Sequence, residues 1–152
     1  MGATNFSATA TGRDANEAFN AARDAADAEH GHEQGYSGEI NAKSGFSLIT
    51  LPAGVSHARF QAWLGKASEA AWIDADAEYA TPADLRKAKT LRNSIPEKHR
   101  SLVARTARQA DDKWGNAVAY RLPKADEKRA KADRGLAGTR EQVFYFFGTA
   151  SC

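Results

Sequence analysis

The 152-residue sequence predicts an α+β fold: a single domain running β-α-β-β, then about three helices, then two C-terminal strands, on a mostly antiparallel sheet. Three observations predict it. Phe6, Ala8 and Ala10 alternate with Ser7, Thr9 and Thr11 at the start of the chain, the period-two pattern of a strand with one wet face. The middle carries helical spacing with repeated helix-start signals. Residues 142–147 read Gln-Val-Phe-Tyr-Phe-Phe, the segment of highest strand preference in the chain.

In chain order, the first strand covers residues 5–11 and Gly12 breaks it. Asp14 with Glu17 three residues later is a capping-box pattern, each side chain meeting a free backbone N–H of the first turn. Ala15, Ala18, Phe19, Ala22 and Ala26 follow at helical spacing, and Gly31 supplies a stop, so a helix spans about 15–30. A second strand is expected near 36–40 and a third near 46–51, across the turn Asn41-Ala42-Lys43-Ser44-Gly45. Residues 57–73 place Phe60, Trp63, Leu64, Ala67, Ala70 and Ala71 on one helical stripe. Thr81-Pro82-Ala83-Asp84 is a helix start, with Thr81 as cap and Pro82 in the first helical position. Ser94-Ile95-Pro96-Glu97 reads as another capping box, opening a helix over roughly 96–113. Residues 117–122 form a further strand and 142–147 the last, which is too apolar to stand alone and completes the N-terminal sheet. Residues 123–140 between them are too polar to pack, a projecting basic loop or short exposed helix.

Composition bounds the function classes. No apolar run approaches the roughly 20 residues that span a bilayer, and the first residues lack the basic and apolar regions of a signal peptide. The one cysteine, Cys152, cannot form an internal disulfide and fits a cytoplasmic setting. Charge is divided unevenly. Residues 1–80 hold five Lys/Arg against eleven Asp/Glu, while residues 81–140 hold sixteen against seven. A basic half attracts phosphates or acidic surfaces whatever the fold.

Gly2-Ala3-x-x-Phe6, Ala18-Phe19-x-x-Ala22, His32 followed by Gly35-Tyr36-x-Gly38, and the closing Phe146-Phe147-Gly148-x-Ala150-Ser151 resemble a group of small, uncharacterised proteins encoded by bacteriophages and mobile elements. The resemblance covers a minority of the chain, mostly its two ends. It implies a phage or prophage setting, hence a host-cell cytoplasm, and says nothing about catalysis.

No residue pattern points to an enzyme. There is no G-x-S-x-G elbow, no G-x-G-x-x-G and no Walker loop. The carboxylate pairs Asp111-Asp112 and Asp74/Asp76 face different ways on a helix or turn. Glu29-His30-Gly31-His32-Glu33, with His57 and His99 elsewhere, has metal-ligand residue types. It straddles a helix end, where a histidine is favoured by the helix dipole, so it is read as a cap or surface group, and neither metal nor cofactor is expected. The binding candidates are the basic residues Arg86, Lys89, Arg92, Arg105, Lys124, Lys128, Arg129, Lys131 and Arg134, joined by Lys87, Arg100 and Arg108. Trp63, Trp72, Trp114, Phe144 and Phe146 are expected in the core. Tyr145 and Phe147, on the opposite face of the last strand, are expected to face a partner.

These features favour a non-enzymatic accessory protein that binds a macromolecular host target, such as a defence or nucleic-acid-processing complex. A protein partner is favoured over nucleic acid, and no membrane is involved. Inhibition by a small ordered protein needs only surface complementarity. The alternatives are nucleic-acid binding through the basic 86–134 region and a virion or assembly component.

Overall fold

The computed structural model describes residues 2–31 and 37–152. Among them the order is β1 (Ala3–Gly12), α1 (Ala15–His30), a 3-10 turn (Ile40–Ala42), β2 (Phe46–Ile49), α2 (His57–Ala75), α3 (Pro82–Asn93), α4 (Glu97–Asp111), β3 (Ala117–Arg121), α5 (Lys124–Asp133) and β4 (Gln142–Ser151). The fold is α+β, with one open, mostly antiparallel sheet ordered β1-β4-β3-β2. Two compact units divide the chain, one of residues 1–53 with 109–152 and one of residues 54–108.

The first unit is the sheet and its cover. β4 lies between β1 and β3 and pairs antiparallel with both, in an unbroken register against β1 from Ala3 opposite Ser151 to Gly12 opposite Gln142. The first and last strands of the chain are therefore neighbours, as expected of the apolar C-terminal segment. Helix α1 starts where Asp14 Oδ1 accepts the Glu17 N–H at 2.8 Å and ends at Gly31, whose N–H returns to the Asp27 carbonyl. It buries Ala18, Phe19, Ala22 and Ala26. These share a core with Phe6, Ala10, Ile40, Ala117, Ala119, Phe144, Phe146 and Ala150. Alanines on both layers bring helix and sheet close together, and the aromatic rings fill what is left. Phe19 sits 5.0 Å from Phe46 and 5.6 Å from Phe146, ring centre to ring centre. Each such ring stabilises by roughly 1.5–3 kcal/mol through burial.

Two glycines are dictated by close approach. At Gly12 a Cβ would meet the backbone N of Ala18 at 2.7 Å, so the turn from β1 into α1 has no room for one. At Gly148 a Cβ would press on the Phe6 ring at 3.3 Å; that ring lies over its register partner.

The expected strand near 36–40 is not formed. Tyr36 lies outside the described residues, and residues 37–39 form bends leading into the 3-10 turn. Gly38 takes a φ of 73°, incompatible with extended pairing, and its N–H bonds the Ser151 carbonyl. Asn41, buried, donates to Asp27 Oδ1 at 2.8 Å and accepts from the Ser37 hydroxyl, which fixes the segment against α1. β2 consequently pairs parallel with β3 and not with a hairpin neighbour. Residues 124–133 form a short exposed helix, the second of the two forms expected for this polar segment.

In the second unit α2 packs on α3. Ser56 caps α2 through the Arg59 N–H, and Thr81 with Asp84 forms a complete capping box on α3 ahead of Pro82. Asp84 is held below the usual carboxylate range, first by its bond from the Thr81 N–H. Phe60, Trp63, Leu64, Ala70, Ala88, Ile95 and Val103 are buried. Ser94 closes α3, its hydroxyl donating to the Leu91 carbonyl, where the sequence suggests a cap for the next helix. No helix among the described residues is long and apolar enough to cross a membrane.

Candidate functional site

The basic residues fall into two groups. Arg86, Lys89 and Arg92 are exposed on α3 and Arg105 is exposed on α4. Arg92 pairs with Asp74 and Lys87 with Glu69, both across the α2–α3 contact. Glu69 holds the Lys87 ammonium above its ordinary range. Part of the apparent basic face of α3 therefore neutralises α2. Arg100 donates to the Ile95 carbonyl at 2.8 Å and the Asn93 carbonyl at 3.2 Å, bracing the turn between α3 and α4.

The second group sits on and just beyond α5. Here Glu127 decides the geometry. Its carboxylate receives two bonds from the Arg121 guanidinium, each 2.8 Å, and a third from the Val143 N–H at 3.1 Å. The Arg121 bonds hold Glu127 below the usual glutamate range. One acidic side chain thus ties α5 to the end of β3 and the start of β4, and the rest of the helix stays in water with no buried residue. Arg129 pairs with Asp126, Lys131 donates to the Thr139 carbonyl, and Arg134 reaches the Ala130 carbonyl at 3.3 Å. Lys124 and Lys128 are exposed. Of the predicted loop cations, three are employed in shaping their own segment.

The expectation that Phe147 faces a partner is corrected. Phe147 is only 7% exposed, and Tyr145 is half-buried. Cross-strand register places Phe147 opposite Val118 and Tyr145 opposite Tyr120, so the three rings cluster at 5.6–5.9 Å. Alternation sends them away from α1, as expected, but that face is packed and offers Phe147 to nothing.

The opposite correction applies to two tryptophans expected in the core. Trp72 is 70% exposed and Trp114 is 64% exposed, whereas Trp63, Phe144 and Phe146 are buried. Ala71 is also exposed, so the apolar stripe of α2 ends at Ala70. Beyond it Tyr79 is 82% exposed. Trp72 and Tyr79 bracket Asp74, Asp76 and Glu78, and two backbone turns, Asp76 N–H to the Trp72 carbonyl and Tyr79 N–H to the Asp76 carbonyl, hold the segment. The result is two large aromatics in water on an acidic, ordered end of α2.

Lys43 is a residue that composition and spacing do not flag. It is buried, and its ammonium donates to the carbonyls of Asp112, Lys113 and Gly115 at 3.2, 3.0 and 2.8 Å. It closes the turn that leads into β3. Burial pushes it below the usual lysine range, against the charge of Asp112.

His30 ends α1 with Glu29 at 3.8 Å and Glu39 at 4.0 Å, and His99 stacks on Trp63 at 5.4 Å. His32 and Glu33 lie outside the described residues. Among the described residues no group of three or more His, Cys, Asp or Glu is placed to hold a metal ion. Asp112 caps the Trp114 N–H and Asp74 pairs with Arg92. Comparisons with family models, with curated proteins and with solved structures each find no match.

Proposed function

We propose that this chain is a non-enzymatic accessory protein of a phage or mobile element that binds a macromolecular host target, and that the target is a protein engaged by the acidic, aromatic end of α2. The observation that carries this reading is the exposure of Trp72 and Tyr79 beside Asp76 and Glu78, with Asp74 engaged by Arg92. Rigid aromatics at the centre of an interface supply most of its binding energy. Acidic neighbours favour a basic protein surface and repel the phosphates of nucleic acid. A defence or nucleic-acid-processing complex, which carries basic surface for its own substrate, has that chemistry.

A tagged chain would be used to capture partners from a host lysate, alongside mass spectrometry of purified particles. The reading expects one host protein to be retained by the unmodified chain and lost by a Trp72→Ala, Tyr79→Ala variant that melts normally. Recovery only in particles would support the assembly role instead. Retardation of DNA or RNA at low salt, with a binding constant that falls steeply as salt rises, would support the nucleic-acid reading.

A further inference from the structure

We propose that β1 is a self-pairing edge, which joins a second copy of this chain across a two-fold axis at Ser7 into one continuous sheet. Among the described residues β1 is a terminal strand of the sheet, and β4 is the strand it pairs with. The phase of its outer edge is fixed by one bond. The Gly2 carbonyl accepts the Cys152 N–H, and the register with β4 is unbroken. In an antiparallel pair, successive residues point their backbone groups alternately toward and away from the partner strand. The N–H and C=O of Ala3, Asn5, Ser7, Thr9 and Thr11 therefore point away from β4, and among the described residues none of them has a backbone partner.

Exposed edges are usually blunted by a charge, a proline, a bulge or shortness. β1 has none of these: its ten residues, Ala3–Gly12, contain no charged residue and no proline. β2, the opposite edge, is only four residues long.

The occupant follows from the symmetry of the outward set. With Ser7 on the axis, Ser7 faces the second copy's Ser7, Asn5 faces its Thr9, and Ala3 faces its Thr11. Every outward N–H and C=O then finds a partner, no like charges oppose each other, and Asn and Thr side chains meet as hydrogen-bonding pairs. The same small, uncharged side chains give a foreign strand little to recognise. A β1-on-β2 contact would use four residues at most and would leave the assembly open, whereas the two-fold contact closes.

Sedimentation of the full chain tests this. The unmodified protein should approach twice the 16.4 kDa chain mass as concentration rises. Ser7→Pro removes the two N–H groups on the axis and should weaken association about thirtyfold. Ser7→Lys and Ser7→Glu, at a position that is itself exposed, should each weaken it roughly fivefold through like charges on the axis. Mixing those two variants should restore association to at least the unmodified level. Far-UV circular dichroism confirms that each remains folded, and if the proline variant does not, the charge pair decides. A chain that remains monomeric up to about 1 mM, or a dimer indifferent to both charge variants and to their mixture, would overturn the proposal.

Discussion

Two aromatic segments of this protein, residues 144–147 of β4 and residues 72–79 at the end of α2, have opposite fates. In β4, Phe144, Phe146 and Phe147 are buried and Tyr145 is half-buried. At the end of α2, Trp72 and Tyr79 stand in water. Local composition separates them in part, since Asp74, Asp76 and Glu78 interrupt the second segment. Topology does the rest. β4 is an interior strand, with pairing on both edges and α1 across one face. The 72–79 segment lies past the last buried residue of α2, among three acids that hold it in solvent. Aromatics used inside the fold stabilise it, while those left outside are free to stabilise a complex. Trp114 is a milder case, exposed but with the Lys113 ammonium 5.0 Å from its ring.

The sharpest way to break the contrast is to remove a ring from each side. Phe146→Ala should cost about 3–5 kcal/mol and lower Tm by about 10 °C or more, because the site is fully enclosed and touches Phe19, Phe46 and Phe144. Lys43→Met should come next, at about 2 kcal/mol, since it removes the donor shared by three carbonyls in the turn before β3. Differential scanning calorimetry would rank the two, and a neutral Lys43→Met would show that the turn is held by its neighbours instead.

Glu127→Gln should cost about 1 kcal/mol, a figure reduced because its partner Arg121 is half exposed. Its pH signature is more telling. A carboxylate depressed in the folded state contributes its full stability above the ordinary glutamate value near 4.5 and loses it as pH falls through the depressed value. Stability of the unmodified chain should therefore drop faster than that of Glu127→Gln across that acid window, as urea titrations at stepped pH would show. Parallel acid slopes would mean that Glu127 is not the tie between α5 and the sheet.

Much of the fold is legible in the sequence because its signals are local. The Asp14 cap, the alanine stripe and Gly31 define α1 within a few residues, and α3 is announced by Thr81-Pro82. The alternation at 6–11 and the aromatic run at 142–147 mark the two strands that pair. What the sequence hides is non-local. The 3-10 turn at Ile40–Ala42 depends on Asn41 meeting α1, and the parallel pairing of β2 depends on a strand about seventy residues later. The candidate site is hidden for the same reason. A tryptophan at helical spacing reads as core, and only the end of the packed stripe at Ala70 shows that Trp72 is not. Phe147 errs the other way, since alternation gives its face and not whether that face is covered. Lys43 and Glu127 are ordinary charged residues until their partners arrive from far along the chain.

The smallest expected effect on stability carries the largest on function. Trp72→Ala with Tyr79→Ala should shift stability by no more than about 1 kcal/mol in total, because neither ring is enclosed. The direct test is the affinity of a captured host protein for three chains, read by calorimetry: the unmodified protein, Trp72→Ala with Tyr79→Ala, and Lys124→Glu with Lys128→Glu. The account predicts at least about a hundredfold loss for the aromatic variant and little change for the α5 variant. Full affinity in the aromatic variant, with loss in the α5 variant, would contradict it and move the contact to the basic helix.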